Sequence, residues 1–308
     1  MLLRVALEGA AAPSVLTIMN EPVEVIPCGT ADELLEKLHP RRGAWPANTH
    51  WFFRGHGNST WELLPSAFRA KSWLGFQQAV DPATDADMGA WERILLLRFY
   101  RLLDRAGLPI PRGHDLLALG QKYFDAGTPW PDPVFTDLLA LAQHNGVPTR
   151  LLDWTSSRKI AAYFAAVDAL KERSESFDIW ALSSGFVDIF GDKGADRTCH
   201  IVRTLRHGNP NLHAQAGVFT LSQGRIRGDD GKFITLDRLL GEIARQVRPS
   251  DDMLPCIRRF QLPTSEAGIL LEELRLDQID ALTLFPGYAG VVRALREQEL
   301  SGRGLTPK

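Results

Sequence analysis

Cysteine is scarce: 308 residues contain only Cys28, Cys199 and Cys256, far apart and without a C-x-x-C spacing. Neither a disulfide framework nor a zinc cage is indicated, and a reducing cytoplasm is the simplest setting. Long apolar runs are missing too. Nowhere do about 18 uncharged apolar residues follow one another, so no membrane-spanning helix is expected. The opening MLLRVALEGAAAPSV is interrupted by Arg4 and Glu8 and holds no signal core. There is no large excess of either charge. A formal net charge of −2 argues against a general nucleic-acid coat, though not against a local basic groove. Four familiar chemistries lack their signatures: G-x-x-x-x-G-K-[ST], G-x-G-x-x-G after a strand, H-E-x-x-H and G-x-S-x-G are all absent. The eight histidines are scattered, so no metal site is expected.

Tryptophan is absent after Trp180, all eight lying between Trp45 and Trp180. The aromatic-rich part is therefore expected to build the principal core or cleft. With 44% hydrophobic and 23% charged residues, the profile is that of a globular chain able to bury about three quarters of its unfolded surface.

Short strands are expected at SVLTI (14–18) and PVEVI (22–26). Thr30 followed by Glu33 forms a capping box, which predicts a helix from Ala31. THWFFRG, 49–55, reads as a buried strand ending in a turn at Gly55, with Arg54 as the last side chain before it. Polar residues with Pro and Gly over 75–89 read as a loop. MGAWERILLLRFYRLLDRAG predicts a helix ending at Gly107. Shorter helices are expected at 115–125 and 134–144, and RKIAAYFAAVDAL carries the apolar stripe of a core helix. Strands at 177–183, 198–204 and 217–222, a helix at 234–247, a strand at CIRRFQL, and helices at 265–275 and from 288 complete the chain. The mixture indicates α+β or mixed α/β.

Two long motifs then carry a resemblance. WFFRGHGNSTWELLPSAFR (51–69) and AQHNGVPTRLLDWTSS (142–157), the second followed by IAAYFAA, resemble the FRG domain family, named for its Phe-Arg-Gly. The likeness extends through NPNLHAQAGVFTL (209–221) and LTLFPGYAGVVRAL (282–295). It implies a single domain over 1–308, with an N-terminal extension over 1–45, a core over 49–300 and a helical insertion over 75–145. It implies an α+β fold similar to the ADP-ribosyltransferases, a split mixed or antiparallel β-sheet cleft with flanking helices that takes NAD as substrate. It further implies a toxin or phage-defence effector with an antitoxin or chaperone as partner. The acceptor is nucleic acid or protein, and the arginines mixed with stackable aromatics in the motifs favour RNA or DNA.

The residues themselves leave alternatives open. Arg54 has the planar, five-donor guanidinium that suits a phosphate or a diol, and equally suits an ion pair with Asp153 or Glu92. Gly55 and His56 follow it as cofactor contacts, although a turn histidine is commonly a surface residue. Arg150 and Asp153 have the types of a charge pair that fixes the loop. Asp153, Thr155, Ser156 and Ser157 are all good caps for a helix starting at Arg158, whose N-terminus also suits an anion. Trp154 could stack on a nicotinamide ring or lie in the core, and His144 could be an acid or base or simply end a helix. By the resemblance, Gln215 stands where many such transferases hold a glutamate that steadies the reacting ribose. Glutamine brings no charge, so Glu92, Asp153 and Glu273 are the candidate carboxylates. The catalytic set is then Arg54, Gln215 and Asp153, and the cofactor set Arg54, Gly55, His56, Arg150, Trp154, Thr155 and Ser156. An NAD glycohydrolase or nuclease in the same cleft, or a non-catalytic nucleotide- or RNA-binding module, are the rival readings.

Overall fold

A computed structural model describes residues 23–46, 49–69, 85–111, 130–204, 210–247 and 256–300. A seven-stranded mixed sheet flanked by helices makes the fold α+β. Its strands are β1 (Val23–Pro27), β2 (Trp51–His56), β3 (Leu151–Thr155), β4 (Ser176–Ser183), β5 (Arg197–Val202), β6 (Gly217–Gly224) and β7 (Ile257–Pro263). They lie in the order β1-β7-β4-β2-β3-β6-β5, with β1 parallel to β7 and the other five pairings antiparallel. Between β2 and β3 a single pair, Phe53 with Thr155, joins the strands, whereas β2 and β4 pair along all six residues of β2.

The helices are α1 (Ala31–Leu38), α2 (Ser66–Arg69), α3 (Asp85–Arg105), α4 (Thr136–His144), α5 (Arg158–Glu172), α6 (Ser184–Phe190), α7 (Pro210–Ala214), α8 (Leu236–Val247), α9 (Ala267–Leu276), α10 (Ala281–Leu284) and α11 (Tyr288–Leu300). Thr30 caps α1 as expected, its hydroxyl accepting from Glu33 N at 3.2 Å. The Glu33 carboxylate accepts from Gly29 N (2.6 Å) rather than from the cap residue's own amide. Helix α3 begins at Asp85, so the loop expected over 75–89 is helical in its last five residues. The expected strand at 14–18, the helix at 115–125 and the rest of that loop lie outside the described residues.

Strand alternation sorts the side chains onto two faces. Phe53, Phe177, Ile179 and Phe260 pack under α1, α5 and α9, whereas Leu151, Phe219 and Leu221 pack under α3 and α4. These two cores share one face of the sheet, because Phe53 and Thr155 are directly opposed. The other face carries Phe52, Leu152, Trp154, Trp180 and Leu182, covered by α6 and α8.

Gly55 does not end its strand, which continues through His56. A Cβ built on Gly55 would stand 2.2 Å from the Ala161 carbonyl oxygen and 2.5 Å from Ala165 N, and one on Gly57 would stand 2.5 Å from the Asp168 backbone. These glycines let β2 and the turn after it touch the backbone of α5, for which Ala161, Ala162, Ala165 and Ala166 supply the matching small side chains. Backbone cannot yield as a side chain does. Gly55→Ala is therefore expected to lower unfolding stability by about 3 kcal/mol, the upper part of the usual overpacking range, measured by urea denaturation. A loss below 1 kcal/mol would sink this account of the motif glycine.

Candidate functional site

The gap beside the lone β2–β3 pair opens into a cavity of about 460 Å³, within the size range of small-molecule sites. It lies between the two cores that share the sheet face. Its walls come from β2, β3 and β6, from α4, α5 and α7, and from the segment carrying Phe285, Ala289 and Arg293.

Arg54 stands in this wall with its side chain 15% exposed. Its Nε donates to His56 Nε2 (3.0 Å) and its Nη1 to the Asp153 carbonyl (2.8 Å). The Asp153 carboxylate is 3.6 Å from Nη1 and itself 60% exposed, so the charge pairing is loose and open to solvent. Burial lowers the guanidinium's pKa, Asp153 opposes that shift, and the nearby Arg69 adds to it. Asp153 also accepts from Gln143 Nε2 at 2.6 Å, which holds its carboxylate at the cavity edge.

The Arg54 bond requires an acceptor at His56 Nε2, so His56 is neutral. The turn histidine expected at the surface is instead 3% exposed, between Trp61 and Trp180. Burial, then the Arg54 charge, hold its pKa well below 6.5. The sign follows from the depressed folded-state value. Below about 6.5 the unfolded chain takes a proton that the folded chain refuses, so stability is full above that pH and falls below it, by up to about 1.4 kcal/mol per pH unit. His56→Gln keeps an acceptor for Arg54 and should flatten the fall in urea midpoint between pH 7 and 5. An undiminished slope in the variant would show that other groups cause the fall.

The Arg150–Asp153 pair is not formed. Arg150 instead meets Glu92 of α3 in a buried bidentate pair (Nε to Oε1 3.0 Å and to Oε2 2.9 Å), and Trp130 Nε1 donates to Glu92 at 3.1 Å. Both side chains are at most 3% exposed and neither lines the cavity. Trp154 is among the residues lining the cavity, yet its side chain has a structural place. Its indole belongs to the core of the opposite sheet face and donates to Thr220 Oγ1 at 3.0 Å. Of the hydroxyl run, Ser157 caps α5, accepting from Ile160 N (3.4 Å). Thr155 donates to the Gln215 carbonyl (2.7 Å), accepts from Ser157 N (3.0 Å) and lines the cavity, while Ser156 is exposed beside the Ala216 carbonyl.

Gln215 lines the cavity just before β6, with its Nε2 donating to the Leu284 carbonyl at 3.2 Å. His144 stands exposed at the end of α4, 3.4 Å from the Asn211 amide, also in the wall. Of the candidate carboxylates, Glu92 is spent on Arg150 and Glu273 sits on the exposed face of α9, so Asp153 alone reaches the cavity. Two further charged lining residues were not singled out from the sequence: Asp168, paired with Lys171 at 2.9 Å, and Arg293. Asp168 is the one acidic residue inside the stripe of α5, a signal that could have found it. Among the described residues, no group of three or more His, Cys, Asp and Glu is placed to hold a metal ion, and no helix is long and apolar enough to cross a membrane.

Residues 49–174 match the family model of the FRG domain. The match runs from β2 to just past α5 and so includes Arg54, His56, Asp153 and Thr155, while Gln215, Phe285 and Arg293 lie beyond it. No curated protein and no solved structure matches the chain.

Proposed function

We propose, starting from the FRG domain of residues 49–174, that this chain is an NAD-dependent ADP-ribosyltransferase whose acceptor is RNA or DNA. The observation that carries the reading is Arg54: the arginine of the family motif stands in the wall of a 460 Å³ cavity with only a loose carboxylate partner. A planar cation in that position suits a phosphate of the dinucleotide. Burial strengthens such a contact by excluding water.

The chemistry asked of the chain is modest. The bond between ribose C1′ and the nicotinamide nitrogen breaks, its electron pair leaving with nicotinamide. The acceptor's oxygen or nitrogen bonds to C1′ and gives up a proton. Of the two lining carboxylates, Asp153 rather than the lysine-paired Asp168 is assigned to take that proton or to steady the cationic ribose. Gln215, whose Nε2 is occupied by Leu284, keeps Oε1 to accept from a ribose hydroxyl. Thr155 and Ser157 fix the loop between them. Within the continuous seven-stranded sheet, the single β2–β3 pair is the feature that supports an opening of the kind expected of a split-sheet cleft. The lean to a nucleic-acid acceptor rests on arginines interleaved with stackable aromatics in the motifs, and the toxin or phage-defence role on the family resemblance.

A second reading, a non-catalytic nucleotide- or RNA-binding module, is favoured by Gln215, because an amide tied to a backbone carbonyl supplies no negative charge. Incubating the protein with NAD labelled in the adenosine, together with RNA, DNA or lysate, separates the readings. Label on RNA or DNA supports the proposal, and label on protein moves the acceptor. Free ADP-ribose with nicotinamide means hydrolysis. Bound but unreacted NAD favours the module, and shortened nucleic acid without NAD turnover a nuclease.

A further inference from the structure

Arg293 lies outside the FRG match and enters the same cavity from α11. Its guanidinium carbon is 3.9 Å from the centroid of the Phe285 ring, close enough for a stacked cation–π contact. Phe285 is in turn fixed edge-on by Phe164 of α5, at 5.9 Å and 86°. Among the described residues no carboxylate lies within ion-pair distance of Arg293. Glu297, one turn along α11, accepts instead from the buried Tyr163 hydroxyl. The Arg293 charge is felt by Glu297 but makes no direct ion pair, so this cation is oriented by an aromatic platform in the wall of a cavity that already holds Arg54. A cavity with arginines contributed by β2 and by α11 is suited to a ligand with two anionic groups.

We propose that Arg293 is the second phosphate contact of the cavity, and that together with Arg54 it selects a pyrophosphate-linked dinucleotide over a nucleoside monophosphate. The inference rests on the NAD reading above and deepens it, since it assigns discrimination to a residue beyond the family motif. Phe285 contributes by holding the guanidinium in one orientation, which lowers the ordering cost of each hydrogen bond to phosphate.

Calorimetric titration with NAD, ADP-ribose, AMP and nicotinamide mononucleotide tests this. The wild type should bind ADP-ribose at least tenfold more tightly than either monophosphate. Arg293→Ala should weaken ADP-ribose and NAD about tenfold while changing at least one of the two monophosphates less than twofold, so the preference collapses. Arg293→Lys should recover only part of it, because lysine keeps the charge and loses the stacked plane. Ala289→Glu places a negative charge one turn earlier on the same wall and should weaken the dinucleotides to a similar degree. Both sites are exposed, so the thermal midpoint should stay at the wild-type value. Wild-type affinity for ADP-ribose in Arg293→Ala overturns this assignment and leaves the NAD reading standing. A wild type that binds neither dinucleotide overturns both.

Discussion

Arg54→Ala is expected to lower kcat/KM for nicotinamide release from NAD by 10²- to 10³-fold, about 2.7–4 kcal/mol of transition-state stabilisation, the range for removing one preorganised donor group. The guanidinium has five donors, of which one goes to His56 Nε2 and one to the Asp153 carbonyl. These two bonds set its plane, and three donors remain for a ligand. Arg54→Lys should recover little, because a flexible ammonium cannot reach both protein acceptors and a phosphate with a fixed fork. Arginine at this position also holds β2 to β3 where the ladder has stopped, so the variants need a folding control by circular dichroism. If Arg54→Ala bound NAD with wild-type affinity and turned it over at the wild-type rate, the proposed function would fail.

Glu92→Ala should be the most destabilising single change among the residues discussed. It leaves the Arg150 guanidinium buried without its carboxylate, and breaking such a pair costs about 3–5 kcal/mol. Trp130 Nε1 loses its acceptor at the same time. The paired replacement Glu92→Leu with Arg150→Met should restore most of the loss, since much of the cost is the orphaned charge rather than the missing attraction. Urea denaturation of the two single variants and the double variant gives the coupling directly. A double variant as unstable as the sum of the singles would show that packing around Trp130 and Phe68, not charge, sets the cost.

These two arginines show where reading the sequence succeeds and where it stops. Both stand out as cations beside apolar strands, but nothing local says that Glu92, 58 residues from Arg150, is its partner, or that Asp153 belongs to Arg54 instead. Helices α1 and α5 are legible because caps and apolar stripes act over a few residues. The short helices α6, α7 and α10 are not, having too few turns to show a period. Gly55 was ambiguous in principle, because one residue type serves both a turn and a close backbone approach. Trp154 was decidable in part: in a strand LLDWT, Asp153 and Trp154 point to opposite faces, so the indole joins the core of the far face although the residue is among those lining the cavity. The strand order places Arg54 and Asp153 side by side, and no local pattern encodes that order.

The cavity has a wall made of Phe285, Ala289 and Arg293 opposite residues of β2 and β3. Order of synthesis gives that arrangement a further meaning. The Phe-Arg-Gly motif is synthesised well before the strands that flank it, and the wall from α11, with the Tyr163 bond to Glu297, can be added only after residue 297 has been made. A chain whose translation halts after α9 would carry every motif residue of the FRG match and still present an incomplete chamber.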